Sequence, residues 1–437
     1  MGALSGIADT DRRVIVLALA RMVGAAGNSF LIVVLPLYVA SDAIDLSSLL
    51  GTEVGVGAAS VTVTEPLLIG LVLSLFGFLN SLSQPVTGRL SDRMGVRRPF
   101  VLTGILLLGT ASALYTVASV YWQLVVLRAI QGVGASLIIP ATVALVNEYA
   151  SADADRGGNF GVYNTFRLIG FGFGPVLAGA VVEAGPYDLS PIGLPVIDGF
   201  DAAFAAACGG AYLSFALVFL LVRDAAESSE ASDDLSIRVR GEDRLLDPVF
   251  ALGLATVAMG MCIALFATLQ NQVNVRLDQA PVWFGLQFAA VTIANVLLQV
   301  PVGQASDRIG RRPFLLAGFV LLVPTTLLQG IVTDPIVMTL VRLAQGVAVA
   351  FVFAPSLALA GDLAREGESG TTLSVLTMGF GFGVALGPLA SGWLVGFGFL
   401  VPFVVGAALA VVALVGVVTQ VEETLGASDD AGAVAAD

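Results

Sequence analysis

Four arginines stand where charge is expensive. Arg21, Arg128, Arg167 and Arg342 interrupt long apolar runs, while the remaining arginines fall in polar connections. A guanidinium stays charged at any physiological pH and offers five donors in a planar fork, which suits two-pronged capture of a carboxylate or phosphate. In an apolar run it is a functional hypothesis by default, weighed against an arginine satisfied by neighbouring carbonyls. The partners that would make an enzyme of such positions are missing. The chain has no histidine, no lysine and two cysteines, so histidine catalysis, a disulfide framework and a cysteine-rich metal centre all fall away. No Asp or Glu lies centrally in any apolar run; Glu148, Glu183 and Asp362 mark run ends. Neither an enzyme nor a cofactor is expected.

What must position these arginines is set by composition. Of 437 residues 57% are apolar and only 12% charged, about half the charge of a soluble domain. With a mean hydropathy of +0.92, the chain reads as polytopic in a membrane, with the lipid bilayer as its principal partner. The net charge of −13 argues against nucleic acid. Basic residues are all arginine, a bias that fits a salt-rich cytoplasm and equally GC-rich coding.

Asp and Glu serve as a ruler, each costing roughly 3 kcal/mol at a helix centre. Spans of about 20 apolar residues then fall near 14–40, 66–90, 99–118, 121–147, 157–182, 202–222, 248–275, 282–305, 313–332, 335–361, 370–395 and 398–420. Arg21 breaks the first run and no A-x-A site follows, so the opening reads as a retained helix rather than a signal peptide. Fifteen arginines lie in connections on one side and Arg276 alone on the other, which predicts two cytoplasmic termini in a multi-pass protein of the plasma membrane. The polar stretch 223–247 reads as a cytoplasmic linker between six-helix halves 1–222 and 248–420, with 421–437 a disordered acidic tail.

The halves repeat. GRLSDRMGVRRPF at 88–100 returns as GQASDRIGRRPF at 303–314, VLRAIQG at 126–132 as LVRLAQG at 340–346, and GFGFGPVLAG at 170–179 as GFGFGVALGPLASG at 379–392. At these residues the chain resembles the major facilitator superfamily over essentially its whole length. The loop signature is matched by Gly88, Leu90, Asp92, Arg93, Gly95 and Arg97, with Gly303, Asp307, Arg308 and Gly310 in the second half. The fourth-span signature is matched by Arg128, Gln131 and Gly132, mirrored by Arg342, Gln345 and Gly346. Gly170, Gly174, Pro175 and Gly179, mirrored by Gly387 and Pro388, match the fifth-span signature of the drug–proton antiporter branch.

The resemblance implies an all-α fold of twelve transmembrane helices in two pseudo-symmetric six-helix bundles around a cavity, working by alternating access. It also implies that Asp92 latches onto the N-terminus of the eleventh span near Ser369 to Thr372, with Gly88 and Gly95 shaping the turn. Cation exporters of the family use a buried acid, which this chain lacks. Arg21 and Arg167 have no repeat mate, since Thr256 and Phe380 stand opposite. Arg167 lies about 16 Å into its helix at 1.5 Å per residue, with Tyr163 and Asn164 one turn back. These, with Asn28 and the amides Gln270, Asn271 and Asn274, form the expected solute-binding set, the amides alternatively hydrating an outer vestibule. The leading reading is an efflux permease for a small organic solute, with a proton or sodium as coupling ion. An importer or exchanger of a small organic anion is the alternative, and a non-transporting sensor of the same fold the third.

Overall fold

In a computed structural model, described over residues 12–56, 59–149, 153–193, 195–224, 239–241, 245–363 and 369–424, twelve stretches are long and apolar enough to cross a membrane. The first six are α1 (Arg12–Val39), α2 (Glu65–Met94), α3 (Arg98–Leu114), α4 (Tyr121–Glu148), α5 (Asp153–Ala184) and α6 (Gly199–Leu221). The seventh is interrupted. It runs as α7 (Pro248–Ala264), a 3₁₀ turn at Ala267–Leu269, and α8 (Gln270–Leu277). Then follow α9 (Pro281–Ile309), α10 (Arg311–Leu328), α11 (Pro335–Leu363), α12 (Ser369–Leu394) and α13 (Val401–Gln420). Much of the expected linker (225–238, 242–244) and tail (425–437) lies outside the described residues.

Helix starts follow local chemistry. Thr64 accepts from the N–H of Leu67 with Glu65 and Pro66 in the first turn, Asp198 caps α6 by accepting from Asp201, and Asp247 caps α7 ahead of Pro248. Leu220, Leu297, Val86 and Val412 remain largely exposed, as side chains facing lipid should be. Between α1 and α2 the chain forms a hairpin of β1 (Glu53–Val56) and β2 (Ala59–Thr62), with Glu53 opposite Thr62. In the connections flanking these elements, Asp45 and Asp188 are held below the usual carboxylate range by the hydroxyls and N–H groups of Ser47 and Ser190.

Two compact units result, Met1–Ser232 with Leu269–Ala289, and Asp233–Thr268 with Ala290–Asp437. The sequence reading assigns all of 248–420 to the second half, so the membership of Leu269–Ala289 differs from it. The reason is close backbone approach. A Cβ on Gly179 would come within 2.8 Å of the Pro281 carbonyl, one on Gly285 would strike Pro175, and Phe171 meets Phe288 at 6.0 Å between ring centres. Asn271 also donates to Glu65 at 3.1 Å.

Candidate solute-binding site

In the first unit α1 and α5 lie against each other along a seam of small residues. A side chain on Gly170 would collide with the Met22 carbonyl, and one on Gly174 would lie 2.6 Å from the Ala26 carbonyl. Ser29 adds a bond to the Gly170 carbonyl at 3.4 Å. The contacts advance together, 170 with 22 and 174 with 26, so the helices run parallel. Arg167, three residues before Gly170, therefore stands within about one turn of Arg21, close enough for the two charges to act on each other.

Asn164 holds Arg167 from one turn back. Its Oδ1 accepts from Nε at 3.0 Å and from Nη2 at 2.8 Å, which orients the fork and leaves Nη1 without a partner among the described residues. Arg21 makes no hydrogen bond or ion pair there, and its Nε is shut away from solvent. Tyr163 is near enough to Arg167 for the two to act on each other, but its hydroxyl is bonded elsewhere. It is 3% exposed and shares a 2.7 Å hydrogen bond with Thr142 on α4. Asn28 lines the same side as Arg21, on the wall of a ≈ 40 Å³ cavity enclosed by α1, α3, α4 and α6.

The mirrored arginines behave otherwise. Arg128, 2% exposed, donates to Gln131 at 3.2 Å and lies over Phe76, while Gln131 also receives Tyr115 and donates to Ser112. Arg342, fully buried, donates to Gln345 at 2.6 Å and to Gln329, over Phe266. Gly132 and Gly346 admit the backbones of α2 and α9 at Phe76 and Val291. These are side-chain networks internal to each unit.

At the α2–α3 turn Gly95 adopts φ 64°, which only glycine does freely. Gly88, expected to share that role, sits inside α2 against Pro140 with ordinary contact at 3.5 Å. Gly303, its mate, has open space beside it, while Gly310 makes the second turn at φ 121°. Asp92 pairs with Arg97, which also reaches Glu148 at 3.1 Å and Ser91. Asp307 meets Arg311 at 3.4 Å, and Arg311 pairs with Asp362. Arg93 and Arg308 are exposed. The side chains of Ser369 to Thr372, the expected latch partner, lie outside the described residues.

Sequence reasoning missed two caps. Asp224 accepts from the N–H groups of Arg97 and Arg98, each at 2.7 Å, and Glu423 accepts from that of Arg312 at 2.8 Å. The available signal was their matching place, one acid just past the sixth span and one just past the twelfth.

The α8 amides do not join Arg167. Asn271 binds Glu65, Asn274 accepts from Gln279, and Gln279 exchanges bonds with Gln287. Gln270 is fully buried with neither amide atom bonded among the described residues. Along α5 and α12 the matched glycines seal seams: Gly383 against Val257, and Gly387 against Ala264 and Met261, with the Pro388 carbonyl accepting from Thr268 at 3.0 Å.

A family model described as Major Facilitator Superfamily matches residues 17–271 and 248–432. Multidrug resistance protein 2 of Bacillus subtilis is 27% identical over 141 residues, 32% of this chain and 35% of that protein, so the match spans about a third of the relative's length. An uncharacterized MFS-type transporter of Methanocaldococcus jannaschii is 25% identical over 332 residues, 75% of this chain and 81% of that one. Among solved structures, a bacterial homolog of the human lysosomal transporter Spinster, inward-facing and occupied, superposes with a TM-score of 0.70 at 14% identity. It covers 93% of this chain and 94% of that one.

Proposed function

Because the chain belongs to the major facilitator superfamily, and is a multi-pass membrane protein resembling that family's drug-efflux branch, we propose that it exports a small organic anion by alternating access. One observation carries the reading. Arg167 is held by Asn164 with part of its fork open, beside a second unpartnered arginine, and no carboxylate lies centrally in any span to neutralise either. Two guanidiniums in a low-dielectric setting attract anions and repel cations. Export is supported by the fifth-span signature and by the name of the Bacillus relative, a multidrug resistance protein.

In this reading the two units are the moving halves, both termini face the cytoplasm of a plasma membrane, and Asp92 latches the cytoplasmic side. The arginine imbalance across the connections supports the orientation. The pairing of Arg97 with both Asp92 and Glu148 supports a loop held rigid enough to latch.

Proteoliposomes offered radiolabelled organic anions or lipophilic cations test the substrate class. The expected outcome is transport of at least one anion, with affinity weakened about 30-fold or more by Arg167→Lys, the loss expected when a desolvated charge pair is broken. Transport of cations only, driven by a pH gradient and indifferent to Arg167→Lys, overturns it.

A further inference from the structure

We propose that the cavity enclosed by α1, α3, α4 and α6 is a binding site for a chloride-sized inorganic anion, held by Arg21 and Asn28 as the standing counter-ion of Arg21. The inference extends the anion reading of Arg167 by separating the two arginines: Arg167 meets the solute, and Arg21 holds a small ion.

The case begins with an unbalanced charge. Arg21 lies in mid-helix with its Nε closed off from solvent and no hydrogen bond or ion pair among the described residues. Arg21 is half-buried, and a cation partly withdrawn from water without a partner draws a carboxylate, carbonyls or a bound ion. No carboxylate is available. Along α1 and α3 there is none, and those of α2, α4, α5 and α6 fall in their first or last turns, at Glu65, Asp92, Glu148, Asp153, Asp155, Glu183 and Asp201. The nearby Arg167 adds a like charge. With its own donors facing Asn164, it cannot accept anything from Arg21.

Beside Arg21 the structure provides room. The cavity measures ≈ 40 Å³, space for about three water-sized occupants at 10–15 Å³ each. That suits one small inorganic anion with at most a water or two, and is small for an organic solute or a tetrahedral oxyanion. Its walls carry Arg21, Asn28, Ser112, Gln131, Thr142 and Ser214. The last four are committed elsewhere: Ser112 to Leu108 and Gln131, Gln131 to Tyr115 and Arg128, Thr142 to Tyr163, Ser214 to the Ala20 carbonyl. Asn28 is not. Its amide has no partner among the described residues and lines the cavity two turns above Arg21. Two side chains without partners among the described residues, one of them charged, thus line a space whose walls carry no carboxylate, which favours an anion over a cation or an apolar guest.

The second repeat supplies the control. Thr256, opposite Arg21, is fully buried and closes its own seam, donating to the carbonyls of Gly253 and Leu376 at 2.7 and 3.1 Å. Where no arginine stands, no counter-ion is needed.

Thermal unfolding of the purified full chain in detergent, at matched ionic strength in chloride, bromide or sulfate, tests the site. The melting temperature should rise saturably with chloride and bromide and not with sulfate, for which the cavity is small. Arg21→Gln should raise the half-saturating chloride concentration at least tenfold, and by more than Arg167→Gln does. Should Arg21→Gln fail to fold, Asn28→Leu, which fills the cavity without touching the charge, must give the same loss. Crystals grown in bromide should show an anomalous peak beside Arg21. Equal stabilisation by sulfate, or a chloride effect that survives both variants, overturns the site. Failure of the solute reading is separable: organic anions would then go untransported while the chloride response persists. Chloride indifference with Arg167-dependent transport sinks this inference alone.

Discussion

Equivalent places in the two units hold opposite solutions. Where Gly170 meets Met22 and Gly174 meets Ala26 in the first, Gly383 meets Val257 and Gly387 meets Met261 in the second. The helix seams are therefore the same structure. Yet one turn along, the first unit places Arg167 and Arg21, and the second places Phe380 and Thr256. Phe380 stacks edge-on against Phe353 at 5.4 Å, and Thr256 spends its hydroxyl on two carbonyls. Arg128 and Arg342, by contrast, stand at matched positions and are held the same way, by a glutamine one turn on and an aromatic face. Charge kept by both units is held by its own glutamine and aromatic face; of the charges kept by one, Arg167 has Asn164 and Arg21 has no partner among the described residues. The proposed solute site rests on that difference.

Substitutions can break or sharpen that contrast. The largest effect is expected from Arg167→Lys: solute affinity falls by about 2–5 kcal/mol while the melting temperature in detergent stays near that of the parent. Normal affinity with lost stability would return Arg167 to a packing role and erase the asymmetry. Next come the seams. Gly170→Ala and Gly383→Ala each force a methyl into a carbonyl, and overpacking of this kind costs about 1–3 kcal/mol or more. Both should lower the melting temperature alike, whereas Gly303→Ala, beside open space, should leave it unchanged.

Arg342→Gln tests the enclosed class. It strands the Gln345 oxygen and should reduce stability by about 1–3 kcal/mol, with the affinity of the surviving protein intact. A change in affinity without loss of stability would move Arg342 into the solute site. The smallest effect belongs to the caps. Asp224→Asn and Glu423→Gln should each cost roughly 0.5–2 kcal/mol in thermal unfolding. Equal losses would show the caps to be equivalent; a loss of transport in one alone would show that the two loops are used differently.

Much of this was readable from the chain because lipid imposes so strict a pattern. A helix in hydrocarbon must be apolar for about 20 residues, so the absence of carboxylates marked all twelve spans to within a few residues. The repeat marked the glycine seams and the paired arginines, since both depend on residue type at fixed spacing. Tyr163 shows where spacing gave out. Three and four residues before Arg167 are nearly the same face of a helix, yet Asn164 turns to the guanidinium and Tyr163 to Thr142 on another helix. Helical periodicity cannot say which neighbour a side chain of that length will meet.

The amino-acid sequence by itself determined the membrane environment, the count of spans, the internal repeat and the presence of charges without counter-charges, because these follow from composition and one-dimensional order. Tertiary structure alone decided that the stretch Leu269–Ala289 belongs with the first unit, that Asp224 and Glu423 cap helices more than a hundred residues away in the chain, and that Arg21 opens onto a cavity while Arg128 is enclosed. Each of those depends on which backbones approach within a few ångströms. That distance is set by many small side chains acting together, and no single position in the sequence records it.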